Sequence, residues 1–178
     1  MRGEILNEFL EFAADSIGVE AAGALATRPG TGYEAGGRYD LADLIRLVDQ
    51  VAAARHEPRA TVLTSFGKHL FRYFAALYPT FVDEAGSAPQ LLAGIETYIH
   101  GELRKLYPDS DFPRFECAPA EASGLTMSYH SARPLADLAE GLIRGCIEHF
   151  DDPVRVERVD LPGVPGTAAR FVVIRERG

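Results

Sequence analysis

Three hydrogen-bond donors stand at alternate positions in YHSARP, residues 129–134: the Tyr129 phenol, the Ser131 hydroxyl and the Arg133 guanidinium. If the segment continues a strand, period-two alternation aims all three at one face, where they would hold a carboxylate or a phosphate. The same residues also suit a strand-to-helix turn, with Ser131 bonding nearby backbone and Arg133 solvated. A second candidate is His100 in ETYIHGELRKLYP, residues 96–108. On a helical wheel Leu92, Ile95, Ile99, Leu103 and Leu106 form an apolar stripe, and His100 falls ~90° from its centre at ~100° per residue. A histidine so placed is more often a partly buried packing residue than a metal ligand, and periodicity leaves both readings open. Gly101 beside it costs a helix ~1 kcal/mol against alanine, which points to close approach of another body to the backbone. Gly67 in SFGKHLF interrupts an apolar run of Phe66, Leu70, Phe71, Phe74 and Leu77. This suggests close packing against something broad, or else a tight helix crossing, which is common.

Other chemistry has weaker support. Cys146 and His149 lie three apart on one expected helix and, with Cys117, offer an alternative function: a protein-interaction module without a prosthetic group that responds to zinc or to redox state. No fourth ligand is evident, and buried cysteines usually behave as small apolar residues. His56, His69 and His130 show no ligand spacing. HExxH, GxSxG and CxxCH are absent, and the glycine-rich RPGTGYEAGGRYD, residues 28–40, matches neither GxxxxGK[ST] nor GxGxxG. No acid–base pair or activated nucleophile can be placed, so an enzyme acting on a carboxylate held by Arg133 has little support.

The elements that must position these groups follow from periodicity. Ile5, Leu6, Phe9, Leu10, Phe12, Ala13 and Ile17 predict a helix over 4–17 with Gly18 as its stop, followed by a short helical piece over 20–27 and a loop. Asp40 caps a helix carrying Leu41, Leu44, Ile45, Leu47, Val48 and Val51, and Pro58 opens another that runs to about Leu77. The His100 helix starts near Ser87 or Pro89 and stops before Pro108. Beyond Pro113 the pattern changes to short strands, RFECAPA, GLTMSYHS, VRVERVDL and ARFVVIRE, with a helix over 134–150. This predicts an α+β fold: a helical N-terminal part packed on an antiparallel sheet of about four strands, with a ligand seam between the halves.

Composition narrows the class. With 178 residues, 47% of them hydrophobic and 25% charged, the chain is one globular domain. A formal charge of −8 leaves no basic face for nucleic acid. No apolar run approaches the ~18 residues of a membrane span, and MRGEILNEFLEF is unlike a signal peptide. Two cysteines are too few for a disulfide framework, so the expected location is the cytoplasm.

Together the MRGEILNEFLEF start, SFGKHLF, YIHGELRKLYP, FPRFEC, YHSARP and LADLAEGLIRGCIEHF resemble the haem nitric oxide/oxygen-binding family, H-NOX, over nearly the whole chain. The specific element is Tyr-x-Ser-x-Arg downstream of a helix histidine. The resemblance implies non-covalent haem b with His100 as proximal iron ligand and Tyr129, Ser131 and Arg133 as the propionate clamp. It implies that Pro113 packs against the macrocycle and that Ile5, Phe9, Leu70 and Leu138 line the pocket. It divides the chain into a distal helical subdomain at about 1–60 and a proximal α/β subdomain at about 61–178. Family members that hold O2 stably use a distal tyrosine nine residues after the motif tyrosine, supported by tryptophan and asparagine. Those positions here carry Leu138, Phe9 and Leu70, and the chain has no tryptophan. Because bound O2 needs a hydrogen-bond donor and NO does not, the resemblance implies a non-enzymatic sensor favouring NO and CO over O2. NO opposite His100 would weaken the iron–histidine bond and shift the halves. With no output domain before Gly178, the expected partner is a separate histidine kinase or cyclic-di-GMP enzyme.

Overall fold

The computed structural model describes residues 1–25, 33–106, 111–120 and 124–176. Residues 26–32, which include the end of the expected second helix and the start of the glycine-rich loop, lie outside the described residues, as does Pro108.

The N-terminal half is helical. Helix α1 (Gly3–Ile17) ends where Gly18 takes φ 90° and its N–H bonds the Ala14 carbonyl, a conformation open to glycine and costly for other residues. Helix α2 (Val19–Leu25) follows, then α3 (Leu41–Arg55) and α4 (Arg59–Leu77). Asp40 and Pro58 occupy the N-cap positions in extended conformation. A short helix, α5 (Pro79–Ala85), was not expected from the sequence. Helix α6 (Ala88–Gly94) begins at Ser87, whose Oγ accepts from the Gln90 N–H. It runs on through a π-helical turn, Ile95–His100, into α7 (Gly101–Leu106). The predicted single helix is therefore continuous, with a wider turn at its centre.

The C-terminal part carries β1 (Arg114–Ala120), β2 (Gly124–His130), α8 (Ala136–Phe150), β3 (Val154–Asp160) and β4 (Ala168–Arg175). The strands form one antiparallel sheet in the order β1-β2-β4-β3. Period-two alternation decides its inner face. Leu125, Met127 and Tyr129 of β2 pair with Val173, Phe171 and Ala169 of β4, and all six are buried. With Val154, Val156, Ile143 and Cys146 they form a core under α6 and α8.

A second core gathers Leu6, Phe9 and Phe12 of α1, Leu44, Leu47, Val48 and Val51 of α3, and Val62, Leu63, Phe66 and Leu70 of α4. Leu138 of α8 joins this core, and partly buried Leu142 packs against both. Glycines make that junction possible. A Cβ on Gly67 would lie 2.5 Å from the Leu138 carbonyl oxygen and 2.7 Å from Gly141 Cα, and one on Gly141 would lie closer still to the Thr64 carbonyl oxygen. The Thr64 hydroxyl donates to the Asp137 carbonyl at 3.2 Å across the same crossing. Of the two readings of Gly67, the tight helix crossing is the one seen, and the crossing carries Leu138 into the α1–α3–α4 core.

Candidate functional site

His100 ends the π-helical turn, in which the Gly101 N–H reaches back five residues to the Glu96 carbonyl. Such turns are rare and concentrate at functional sites. The imidazole is 9% exposed, and among the described residues it is the one buried polar or charged side chain. It packs between Phe112 and Phe115, each with its ring centroid 5.8 Å away. Burial drives its pKa below the ordinary histidine range, against the pull of Glu96. The ring is therefore neutral at physiological pH, the form that ligates metals. Gly101 is not crowded by the protein: a Cβ there would meet only the Glu96 carbonyl oxygen, at an ordinary 3.6 Å.

Around His100 lies a knot of polar contacts that periodicity did not reveal. Glu96 Oε2 is 3.2 Å from His100 Nδ1 and accepts the Phe115 N–H at 3.1 Å, while Oε1 meets Arg104 Nη2 at 2.6 Å. Burial opposes ionisation of Glu96, yet the Phe115 amide, Arg104 and His100 outweigh it and hold the carboxyl below its usual range. Arg104 also donates to the Pro113 carbonyl at 3.4 Å, and that carbonyl in turn stabilises protonated His100. Pro113 therefore borders the site. The signal for Glu96 and Arg104 lay within ETYIHGELR, where they sit four residues before and after His100 and so share its side of the helix.

Rings connect His100 to the donor motif. Phe115 is 5.4 Å from Tyr129, and Tyr129 is 6.2 Å from Phe171. Tyr129 is 1% exposed, and burial raises its pKa, so the phenol stays protonated as a donor. Tyr129 and Ser131 come together by a route other than the expected one. Strand pairing ends at His130, so alternation positions Tyr129 alone. A bend over 132–134 follows, and the Ser131 side chain turns back to hydrogen-bond the Tyr129 phenol. The Ser131 N–H bonds the Thr167 carbonyl, and its Oγ accepts the Arg133 N–H at 3.0 Å, as a strand-to-helix turn would have it. No carboxylate among the described residues pairs with the Arg133 guanidinium, whose charge is felt at the Met1 amino group. Ser131 and Phe112 share an open cleft of about 310 Å³.

The expected distal residues also assemble. Phe9, Leu70 and Leu138 are 0%, 2% and 8% exposed within one core, and Ile5 packs against it. Phe9 and Phe66 meet edge to face at 4.9 Å. A polar pair stands at the margin: His69 Nε2 is 3.3 Å from Glu8 Oε2, and the His69 ring contacts Phe12 and Phe66.

The zinc or redox alternative is not assembled. Cys117 Sγ bonds the Leu92 carbonyl and Cys146 Sγ the Ala88 carbonyl, while His149 packs on Phe71 and Phe150. Burial raises both thiols, Cys146 to about 12. Among the described residues no group of three or more His, Cys, Asp and Glu side chains could hold a metal ion. No helix among them is long and apolar enough to cross a membrane.

A neutral buried imidazole, a bend of donors that includes a guanidinium with no carboxylate partner among the described residues, and an apolar core across the α4–α8 junction fit a flat, dicarboxylated macrocycle that carries a metal. The fold and site thus define an α+β domain of haem-binding type. The family model for haem-NO-binding domains matches residues 2–158, and the chain belongs to that family, H-NOX. Among solved structures it is 27% identical to the Fe(II) unliganded H-NOX protein of K. algicida, covering 100% of this chain and 98% of that one with a TM-score of 0.86. It is 29% identical to the IWP-051-bound H-NOX of Shewanella woodyi in the Fe(II)CO state, covering 99% and 95% with a TM-score of 0.83. The S. oneidensis H-NOX protein in the Fe(II)NO state shares the fold at 23% identity, with coverage of 99% and 100% and a TM-score of 0.89. A search of curated proteins returns no match.

Proposed function

We propose that this protein is a cytoplasmic, non-enzymatic haem sensor that takes NO and CO at ferrous haem b and holds O2 poorly. Family membership supports haem-based gas sensing, and relatives are known with NO and with CO ligated. The observation that carries the assignment to residues is His100, a buried imidazole kept neutral and joined through Phe115 to Tyr129 of the donor motif. Haem, when bound, supplies an iron with a position open to diatomic gases.

In this reading His100 is the iron ligand, and Phe112 and Phe115 hold its ring in place. Tyr129, Ser131 and Arg133 donate to the propionates, and Pro113 packs against the macrocycle. Ile5, Phe9, Leu70 and Leu138 line the opposite wall. Among the described residues that wall has no buried side-chain donor for a bound gas, which would disfavour O2 because bound O2 carries negative charge. Residues of about 1–60 act as the distal subdomain and about 61–178 as the proximal one, and a shift between them carries the signal to a separate histidine kinase or cyclic-di-GMP enzyme.

Haem titration into the apoprotein tests the assignment. The wild type is expected to form a tight 1:1 complex, and His100→Gly to lose ferrous ligation unless free imidazole is added. Unchanged iron ligation in His100→Gly would remove His100 from the role.

A further inference from the structure

The carboxylate four residues before His100 is held more firmly than a helix surface residue requires. Glu96 belongs to the π-helical turn, yet its carboxylate is gripped from two other elements, by Arg104 of α7 at 2.6 Å and by the Phe115 amide of β1 at 3.1 Å. Those two contacts fix where Oε2 lies, 3.2 Å from His100 Nδ1. An ionised carboxylate only accepts hydrogen bonds, so a proton between the two atoms belongs to Nδ1. The lone pair of a neutral ring is then on Nε2.

We propose that Glu96 is the positioning residue of the iron ligand: it holds His100 as the Nδ1–H tautomer with Nε2 presented to the metal, and Arg104 moderates how strongly the imidazole donates. The inference rests on the reading of His100 as iron ligand. Metal-bound histidines gain basicity when the second ring nitrogen donates to a carboxylate. A bare carboxylate would pull that proton hard and make the ring a stronger donor to iron. Arg104, sharing the opposite oxygen, spreads the carboxylate charge and weakens the pull. The Phe115 amide adds a bond that ties the ligand helix to the first strand, so movement of this helix against the sheet would change the ligand's donor strength. The Pro113 carbonyl is a second acceptor for the same ring.

Two measurements on the full chain decide the matter. In the apoprotein, nitrogen-15 NMR of labelled histidine is expected to show His100 as the Nδ1–H tautomer, and an Nε2–H tautomer would overturn the proposal. In the haem-loaded ferrous protein, resonance Raman reads the iron–histidine stretch and spectroelectrochemistry the midpoint potential. Glu96→Gln keeps the shape and one acceptor oxygen; it is expected to lower the stretching frequency and raise the potential. Arg104→Met is expected to move both in the opposite sense, and Glu96→Ala to weaken haem affinity by ~10-fold or more. An unmoved stretch and potential in Glu96→Gln, even with lowered stability, would mean that Glu96 only ties the helix to β1. Shifts of the same sign in the two charge variants would also overturn the proposal. A wild-type protein without an iron–histidine band would instead remove His100 itself from the iron, so the two failures are distinguishable.

Discussion

The two cores of this molecule meet at the α4–α8 crossing and are built on different logic. The core that the proposed reading sets on the distal side of the haem packs aromatic and aliphatic side chains from α1, α3 and α4 around Leu138, and its buried members carry no polar atoms in their side chains. The proximal wall has a buried imidazole, a carboxylate with three partners and a phenol held against a bend. Bulk and exclusion do the work on one side; directional bonds do it on the other. In the proposed reading, a diatomic ligand bound between them would meet a wall with no side-chain donor among its described buried residues, while His100 would hold the iron with a strength set by Glu96 and Arg104.

Removing bulk from the distal side should have the largest effect on stability. Phe66 is fully buried and touches both Phe9 and Phe12. Phe66→Ala is expected to destabilise the protein by about 3–5 kcal/mol in denaturant unfolding, the range for large aromatic deletions in a packed core. Stability unchanged within error would show that the distal core collapses to fill the space. The junction comes next. In Gly141→Ala the new Cβ would overlap the Thr64 carbonyl and the Gly67 backbone, so α4 and α8 must separate. A loss of about 1–3 kcal/mol is expected from such overpacking, with gas affinity altered because Leu138 is displaced. Equal stability with unchanged affinity would uncouple the crossing from the site.

The smallest effect belongs to the proximal core and appears only at alkaline pH. Burial pushes the Cys146 thiol up to about 12, whereas an unperturbed thiol titrates near 9.0. The folded state keeps the proton where the unfolded state releases it. The stability attached to Cys146 is therefore present in full below pH 9.0 and is lost as pH rises through about 12. Unfolding curves at pH 7.5 and pH 10 should show a steeper alkaline loss in wild type than in Cys146→Ala, by at most about 1.4 kcal/mol per pH unit. Equal losses would mean that the thiol is solvated.

The same contrast explains what the sequence disclosed. Helices α1, α3 and α4 follow from apolar spacing, and the strands follow from alternation, because each pattern is local and its burial face is repeated along the element. Helix α5 escaped notice because its seven residues are too few to show a period and Pro79 looks like a stop. The π-helical turn was invisible because apolar residues spaced for an α-helix also read through one wider turn. His100 stood out by residue type, and its link to Tyr129 runs through Phe115, a contact between distant segments. Glu96 shares its face of the helix with His100, but the bond that fixes its carboxylate comes from a strand amide nineteen residues on, which no periodicity encodes.

The distal wall and the proximal ligand are tested together by absorption spectra of the reduced, haem-loaded protein under NO, under CO and in air-saturated buffer. The account predicts distinct ferrous NO and CO complexes, with only slow oxidation in air, and the appearance of an oxygenated form when Leu138→Tyr places a phenol in the distal core. A stable ferrous O2 complex in the wild type, or failure of the reduced protein to bind NO, would contradict it.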